Sequence, residues 1–114
     1  MPSLEDLQIP PEPGEVKRKI LEVKRLLGVS GSIDWDSLAV WYRNIVPSYL
    51  WSECKWREIL IREGFTWQSF LKLMKYRTDD ILLWVRGEIG WEELVERILR
   101  SLRGPLGDIL RGRR

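Results

Sequence analysis

Side chains that commonly perform catalysis are scarce in this sequence. The chain has no histidine and a single cysteine, Cys54, so the commonest general base and the commonest metal ligand are both missing. A nucleophilic Cys54 would need a neighbouring base or a helix N-terminus to form a thiolate, but it lies between Trp51 and Trp56 inside a predicted helix. We interpret Cys54 as a small core residue, and a lone cysteine forms neither an internal disulfide nor a thiolate cluster.

Two pairs of acidic residues, Asp34 with Asp36 and Glu92 with Glu93, have the residue types of a metal site or an acid–base pair. Each pair falls at a predicted helix start, where acids stabilise the helix dipole, and near neighbours on a helix point away from one another. The glycine-rich stretch at residues 28–32 lacks the lysine of a phosphate-binding loop. We therefore predict no catalytic residue, no metal site, no cofactor and no small-molecule substrate, and we do not expect an enzyme.

Charge is unevenly distributed along a chain whose formal net charge is only +2. Acids crowd its start and arginines crowd its end, at Arg97, Arg100, Arg103, Arg111, Arg113 and Arg114. These arginines form either a phosphate-binding surface without sequence preference or an ordinary solvated face. The seven tryptophans are Trp35, Trp41, Trp51, Trp56, Trp67, Trp84 and Trp91. Most occupy apolar helix faces and are expected in the core or at an interface, while Trp67 is a candidate stacking platform for nucleic acid.

Hydrophobic periodicity and helix breakers predict an all-α fold, a compact bundle of about six short helices. A proline-rich arm, extended or disordered, is expected over residues 1–14, where Leu4, Leu7 and Ile9 offer apolar contacts for docking. The predicted helices cover residues 15–27, 34–46 and 48–63, a fourth begins at the cap residue 66, and the last two cover 78–86 and 91–103. A single helical domain is expected over 15–104, followed by a basic tail at 105–114.

Helix boundaries are predicted from specific residues. Pro47 is expected to end the second helix, and Ser48 to cap the third, which Gly64 ends. Earlier in the chain, Gly28 is expected to stop the first helix and Asp34 to cap the second.

The fourth helix has the clearest start signal. Thr66 is its predicted cap, and Phe65 just before it and Phe70 four residues after it have the spacing of a hydrophobic staple. Thr78 is expected to cap the fifth helix and Gly87 to stop it.

Length and composition indicate the class of protein and its setting. At 114 residues the chain fits one domain, which can bury a core without metals or disulfides. Its uncharged stretches are far shorter than the roughly 20 apolar residues of a membrane span, and its first residues are acidic, so we expect a cytoplasmic protein without a membrane partner. Asparagine occurs once and glutamine twice, which suggests a hyperthermophilic source, an archaeon or its virus.

The stretch of residues 64–88 has features of a DNA-binding motif. It opens with Gly-Phe-Thr and closes with Arg-Gly-Glu; Phe70 and Met74 take the inward positions of a first helix, and Ile81 and Trp84 those of a second. In these features it resembles the helix-turn-helix of the lambda-repressor-like family, the xenobiotic-response-element type. The spacing matches that of the family without a gap.

The resemblance covers about residues 50–103 and implies a helix-turn-helix in the C-terminal half. In that family the second motif helix enters the major groove of double-stranded DNA, while the first contacts phosphates. Carried onto this sequence, the DNA-contacting residues are Trp67, Gln68, Lys72, Arg77, Thr78, Asp79 and Arg86. The second helix is atypical because it carries two acids and the Leu82-Leu83 pair. The expected function is transcription regulation or DNA organisation, by a monomer or a homodimer.

Leu82 and Leu83 support a second hypothesis. Exposed leucines on a short helix more often mark a protein interface than a DNA contact. Together with the arm, they would dock the chain into a larger assembly as an interaction or structural subunit that reads no bases. The sequence leaves both hypotheses open.

Overall fold

The computed structural model describes residues 3–16, 18, 22, 25, 35–53 and 55–112, with the backbone alone described from 35 to 43. The protein is all-helical, as predicted, and the described residues include no strand. A short 3₁₀ helix at Leu4–Asp6 precedes α1 (Trp35–Ser52), α2 (Trp56–Arg62), α3 (Trp67–Lys75), α4 (Thr78–Val85), α5 (Trp91–Arg103) and α6 (Pro105–Leu110).

Some predictions for the first third of the chain fall beyond these ranges. Where the first helix was expected, residues 14–16, 18, 22 and 25 are helical. The stop at Gly28, the cap at Asp34 and the environment of Cys54 lie outside the described residues.

Pro47 does not end a helix, so the predicted boundary there is wrong. It lies inside α1, which continues to Ser52, and Ser48 is a helical residue whose Oγ donates a hydrogen bond to the Asn44 oxygen at 2.8 Å. A proline inside a helix removes one backbone hydrogen bond, which is unfavourable by about 3 kcal/mol. Here Val46 and Leu50 are fully buried on either side of it, and their packing offsets that loss. The chain breaks instead at Lys55, whose left-handed φ of 62° precedes α2.

The junction of α2 and α3 matches the sequence prediction. Gly64 has a φ of 96° and, with Phe65, closes α2 through hydrogen bonds to the Ile61 and Leu60 oxygens at 3.1 and 2.9 Å. Thr66 then caps α3, accepting a hydrogen bond from the Ser69 amide at 3.1 Å. Phe65 and the predicted staple partner Phe70 are both buried in the core.

The start of α4 differs from the prediction. Its N-cap is Arg77, which makes no side-chain capping bond, and Thr78 is already the first helical residue. The Thr78 hydroxyl donates to the Lys75 oxygen at 2.8 Å, because the turn from α3 is so tight that this oxygen is within reach. The predicted stop is confirmed, since Gly87 has a φ of 80° and its amide donates to the Trp84 oxygen.

The basic tail expected after α5 is instead largely helical. Pro105 begins α6 as its first residue, a position where its missing N–H leaves no bond unmade. Gly107 packs so closely on the end of α5 that a Cβ placed there would lie 2.1 Å from the Leu102 oxygen. Arg111 then pairs with Glu63 at 2.8 Å, which ties the end of α6 to the end of α2.

One apolar core joins all these elements. The predicted core residues Phe70, Ile81, Trp84, Leu94 and Ile98 are fully buried and belong to it. Among the helices, α1 packs against α2, α3 and α4, whereas α5 packs against α4 and α6.

The arm, residues 3–13, is docked on these helices. Leu4 and Leu7 are buried at 6% and 5% exposure and form part of the core, whereas Ile9 is 37% exposed. Two of the three apolar residues expected to dock the arm therefore do so.

Aromatic side chains from four helices hold the arm by hydrogen bonds. The donors and acceptors are Tyr49 Oη to the Pro11 oxygen at 2.6 Å, Trp56 Nε1 to the Gln8 oxygen at 2.7 Å, Trp91 Nε1 to the Pro10 oxygen at 2.8 Å, and Trp84 Nε1 to Glu12 Oε1 at 3.1 Å. Arg103 adds a bond to the Leu4 oxygen at 3.0 Å. Among the described residues, the indole N–H groups of the three buried tryptophans, Trp56, Trp84 and Trp91, are thus satisfied by the arm, so the arm completes the core.

Candidate functional site

The two helices of the suspected motif are joined by a turn of two residues, Tyr76 and Arg77. The four side chains expected to point inward are Phe70, Met74, Ile81 and Trp84, and all four are fully buried. The two helices therefore share a core with the inward register that the sequence predicted.

The residues predicted to contact DNA divide by exposure. Gln68, Lys72, Asp79 and Arg86 are exposed, while Trp67, Arg77 and Thr78 are half-buried. Gln68 and Lys72 are four residues apart on α3 and so share one face of that helix. The exposed set carries one acid against two cations, so its contribution to phosphate binding is modest.

Trp67 belongs to an aromatic cluster and is not a free stacking platform. Its ring meets Trp51 edge-on with centroids 5.4 Å apart, and it lies 6.3 Å from Phe70. Its half-buried state follows from these contacts, because each ring covers part of its neighbour.

The expected exposure of the leucine pair is wrong. Leu82 is buried at 6% exposure, and Leu83 is half-buried. The reason is that α1 packs along α4. The sequence pattern within α4 did not predict this contact with a helix distant in sequence. A docking surface centred on Leu82 is therefore not available, and the arm, which the same hypothesis used, already lies on the core.

A basic cleft of about 560 Å³ lies where α4, α5 and α6 meet. Three arginines line it, Arg77 at the start of α4 and Arg97 and Arg100 on α5, together with Ser101. The carboxylate that lines it is Asp80. Three guanidinium groups outnumber Asp80 and the Glu93 carboxylate beside Arg97, so the cleft keeps a net positive charge, which favours an anion.

Asp80 holds two of these arginines in place. Its Oδ1 accepts from Arg97 Nη1 at 2.7 Å, and its Oδ2 is 3.2 Å from Arg77 Nη1. Arg97 also donates to Glu93 at 3.0 Å. Hydrogen bonding to Asp80, and then to Glu93, raises the pKa of Arg97 above its ordinary value, so this guanidinium stays charged.

Some hydrogen-bond donors of the basic cleft have no partner among the described residues. Arg100 is exposed and has no hydrogen-bond or ion-pair partner in the described part of the chain. Arg77 Nε is buried and likewise has no hydrogen-bond partner among the described residues. Arginines suit phosphate oxygens because their N–H groups are arranged as a planar fork. Arg100 can therefore bind a phosphate while Arg77 and Arg97 keep their contacts to Asp80.

The sequence placed Arg97 and Arg100 in an arginine-rich end that could bind phosphate without sequence preference, but it did not combine them with Arg77. A signal was present, since Arg100 and Ser101 follow Arg97 by three and four residues and so each lies on the same side of the helix as Arg97. What the spacing did not reveal is that Asp80 is on the neighbouring helix and within reach of both Arg77 and Arg97.

A second surface, at the break between α1 and α2, is more apolar. It is a groove of about 640 Å³ lined by Trp51, Lys55, Arg57 and Ile61, and Ile61 is 52% exposed. No three acidic or thiol side chains of the described residues come together as a metal site, and none of the helices described is long and apolar enough for a membrane span.

The sequence was compared with known proteins. No protein-family model matches it, and neither a curated protein nor a solved structure matches it. Function is therefore argued from the geometry of the chain itself.

Proposed function

We propose that this protein binds double-stranded DNA through a helix-turn-helix formed by α3 and α4, and that the basic cleft receives a backbone phosphate. The observation that carries the proposal is the convergence of Arg77, Arg97 and Arg100 at the start of α4, with Arg100 unpartnered among the described residues. The exposed polar face of α3, with Gln68 and Lys72, supplies further phosphate contacts.

The same geometry favours phosphate binding over the reading of bases. Base discrimination needs side chains that form paired hydrogen bonds in the major groove. On α4, Leu82 is buried and Leu83 offers only apolar contact, while Asp79 repels phosphate. Arg86 is the exposed residue of this helix end that suits a guanine edge. We therefore favour the organisation of DNA over sequence-specific transcription regulation, in the hyperthermophilic setting that the composition suggests.

The test is a salt titration of duplex binding with matched variants. Each phosphate contact contributes about 0.9 to the slope of log affinity against log salt concentration. Replacing Arg100 by alanine should lower the magnitude of that slope by about 0.9. The control is Arg57→Ala, which removes another exposed arginine, from the apolar groove on α2, and should leave the slope unchanged.

The contrary outcomes are equally definite. If the parent protein has no salt-dependent duplex affinity, DNA binding is refuted. If Arg57→Ala and Arg100→Ala reduce the slope alike, binding is diffuse and the basic cleft is not its site.

The alternative function, an interaction subunit of a larger assembly, requires a different surface from the one predicted. The groove with Trp51 and the exposed Ile61 is the specific observation in its favour, since a large exposed aliphatic residue beside a tryptophan is typical of protein contacts. Two results together would favour this function. The parent protein would show no affinity for duplex DNA, and the Ile61→Asp variant would keep its fold but no longer assemble with the partner of the parent protein.

A further inference from the structure

The groove at the break between α1 and α2, here called the apolar groove, offers a firm apolar surface. Trp51 and the exposed Ile61 line it. The ring of Trp51 lies 5.4 Å from that of Trp67 and 5.6 Å from that of Phe70, so its position is set by contacts with other rings. A held aromatic ring beside an exposed aliphatic side chain can bury a large apolar side chain of a partner.

The cations that line the apolar groove outnumber its acids. Lys55, Arg57 and Arg62 line it together with Glu58. Arg62 Nη2 lies 3.5 Å from Glu58 Oε1, so these two charges offset each other. The side chains of Lys55 and Arg57 are exposed and have no hydrogen-bond or ion-pair partner among the described residues. Two unpaired positive charges therefore lie beside the apolar residues, and the charge complementary to them is that of an acidic partner.

Lys55 occupies a position where local stability does not favour a lysine. Its φ of 62° is left-handed, and no other non-glycine residue in the described part of the chain has a positive φ. It is the N-cap of α2 but makes no side-chain capping bond, and a cation at the N-terminus of a helix opposes the helix dipole. Strained backbone is found at functional sites, where the surrounding structure maintains it. Because the Lys55 side chain lines the groove, a ligand of the groove gives its charge a role.

We propose that the apolar groove binds an acidic amphipathic segment of a partner protein. An apolar side chain of that segment packs against Trp51 and Ile61, and its carboxylates pair with Lys55 and Arg57. This is the recognition mode in which the apolar face of a helix lies in a hydrophobic groove. A nucleic acid would use the cations and the aromatic ring but would leave the aliphatic Ile61 unused, so a protein segment fits the groove better.

This inference goes beyond the proposed DNA binding and does not depend on it. The apolar groove and the basic cleft share no lining residue. An interaction subunit would use the same groove, but acidic recognition there does not require a protein that lacks duplex affinity. The test below contains no duplex, so its failure leaves the proposed DNA binding unaffected.

The probe is a fluorescein-labelled synthetic peptide that repeats Glu-Glu-Leu-Leu, which places its leucines on one side of a helix. Binding to the full-length protein is followed by fluorescence anisotropy. One control peptide has lysine in place of every glutamate, and a second has serine in place of every leucine. Vesicles of anionic phospholipid and single-stranded oligothymidylate are tested as the other anionic occupants.

Two variants test the groove by independent routes. Ile61→Asp removes the apolar contact and adds a negative charge, so it should weaken binding of the acidic peptide by about tenfold or more. Lys55→Gly removes a cation and relieves the left-handed strain. It should weaken binding by about two- to fivefold, while the melting temperature stays the same or rises. The matched control is Lys75→Ala, which removes an exposed lysine at the end of α3 and should leave peptide binding unchanged.

The acidic peptide should bind about tenfold more tightly than either control peptide. Three results would overturn the proposal. Equal affinity for the acidic peptide and either control, or no binding of the acidic peptide, means that the groove does not select an acidic amphipathic segment. Binding that is unchanged in both Ile61→Asp and Lys55→Gly places the contact on another surface. Binding of vesicles or oligothymidylate that both variants weaken, without binding of the peptide, assigns the groove to a lipid surface or a nucleic acid.

Discussion

The arm is predicted to be a structural part of the core, and Leu7→Ala tests this. Leu7 is 5% exposed, and truncating a buried leucine to alanine destabilises a protein by about 2–5 kcal/mol. Because the arm lies at the edge of the core and can relax into the space left, we expect the lower end, about 2–3 kcal/mol. For a domain of this size, that corresponds to a fall in melting temperature of roughly 10 °C.

The matched control is Ile9→Ala, two residues along the same arm. Ile9 is 37% exposed and should lose less than about 1 kcal/mol of unfolding free energy. Both variants are measured by urea denaturation followed by circular dichroism, so that the midpoint and the slope are obtained together. Equal effects within about 0.5 kcal/mol would show that the arm does not distinguish its buried residue from its exposed one, and the docking described above would be wrong.

Three further predictions concern the helices. Gly107→Ala should destabilise the protein by about 1–3 kcal/mol in a thermal melt, because the new Cβ meets the backbone of Leu102. Gly14 has open space around it, so Gly14→Ala should leave the melting temperature nearly unchanged. Thr66→Ala should reduce the free energy of unfolding by about 1 kcal/mol, because α3 loses its cap. Thr78→Ala should change that free energy by less than half as much, because Thr78 is not a cap. Equal losses would contradict the assignment of the caps. Leu82→Ser should destabilise the protein by about 2–4 kcal/mol, and Leu83→Ser should destabilise it clearly less, as measured by denaturation. A larger loss for Leu83→Ser than for Leu82→Ser would show that α4 faces the other way.

The features predicted best from sequence are those set by neighbouring residues. Gly64 and Gly87 end their helices because each adopts a positive φ that other residues disfavour, and Thr66 caps α3 through atoms three residues away. The inward positions of α3 and α4 were expected from the resemblance to the helix-turn-helix, and their spacings of four and three residues are helical ones. These interactions are local, so a sequence pattern contains all that is needed to recognise them.

The wrong predictions concern features that depend on contacts between residues far apart in sequence. Pro47 is a helix breaker by local rules, yet burial of its neighbours keeps α1 continuous. Leu82 looked exposed because the pairing of α1 with α4 joins segments that no periodicity relates. The basic cleft likewise needs Asp80 and Arg97 to meet across two helices. The arm also contained an unused signal, because its buried residues Leu4, Leu7, Pro10 and Pro13 recur every third position.

The docking of the arm has a consequence for the order of events during synthesis. The arm is synthesised before its partners Trp84, Trp91 and Arg103, which follow it by about 70 to 100 residues. Contacts between such distant residues require the closure of long loops, which slows folding and favours late formation. We therefore expect Leu7→Ala to accelerate unfolding while leaving the refolding rate nearly unchanged. The arm, although synthesised before the helices that hold it, therefore reaches its native position after them.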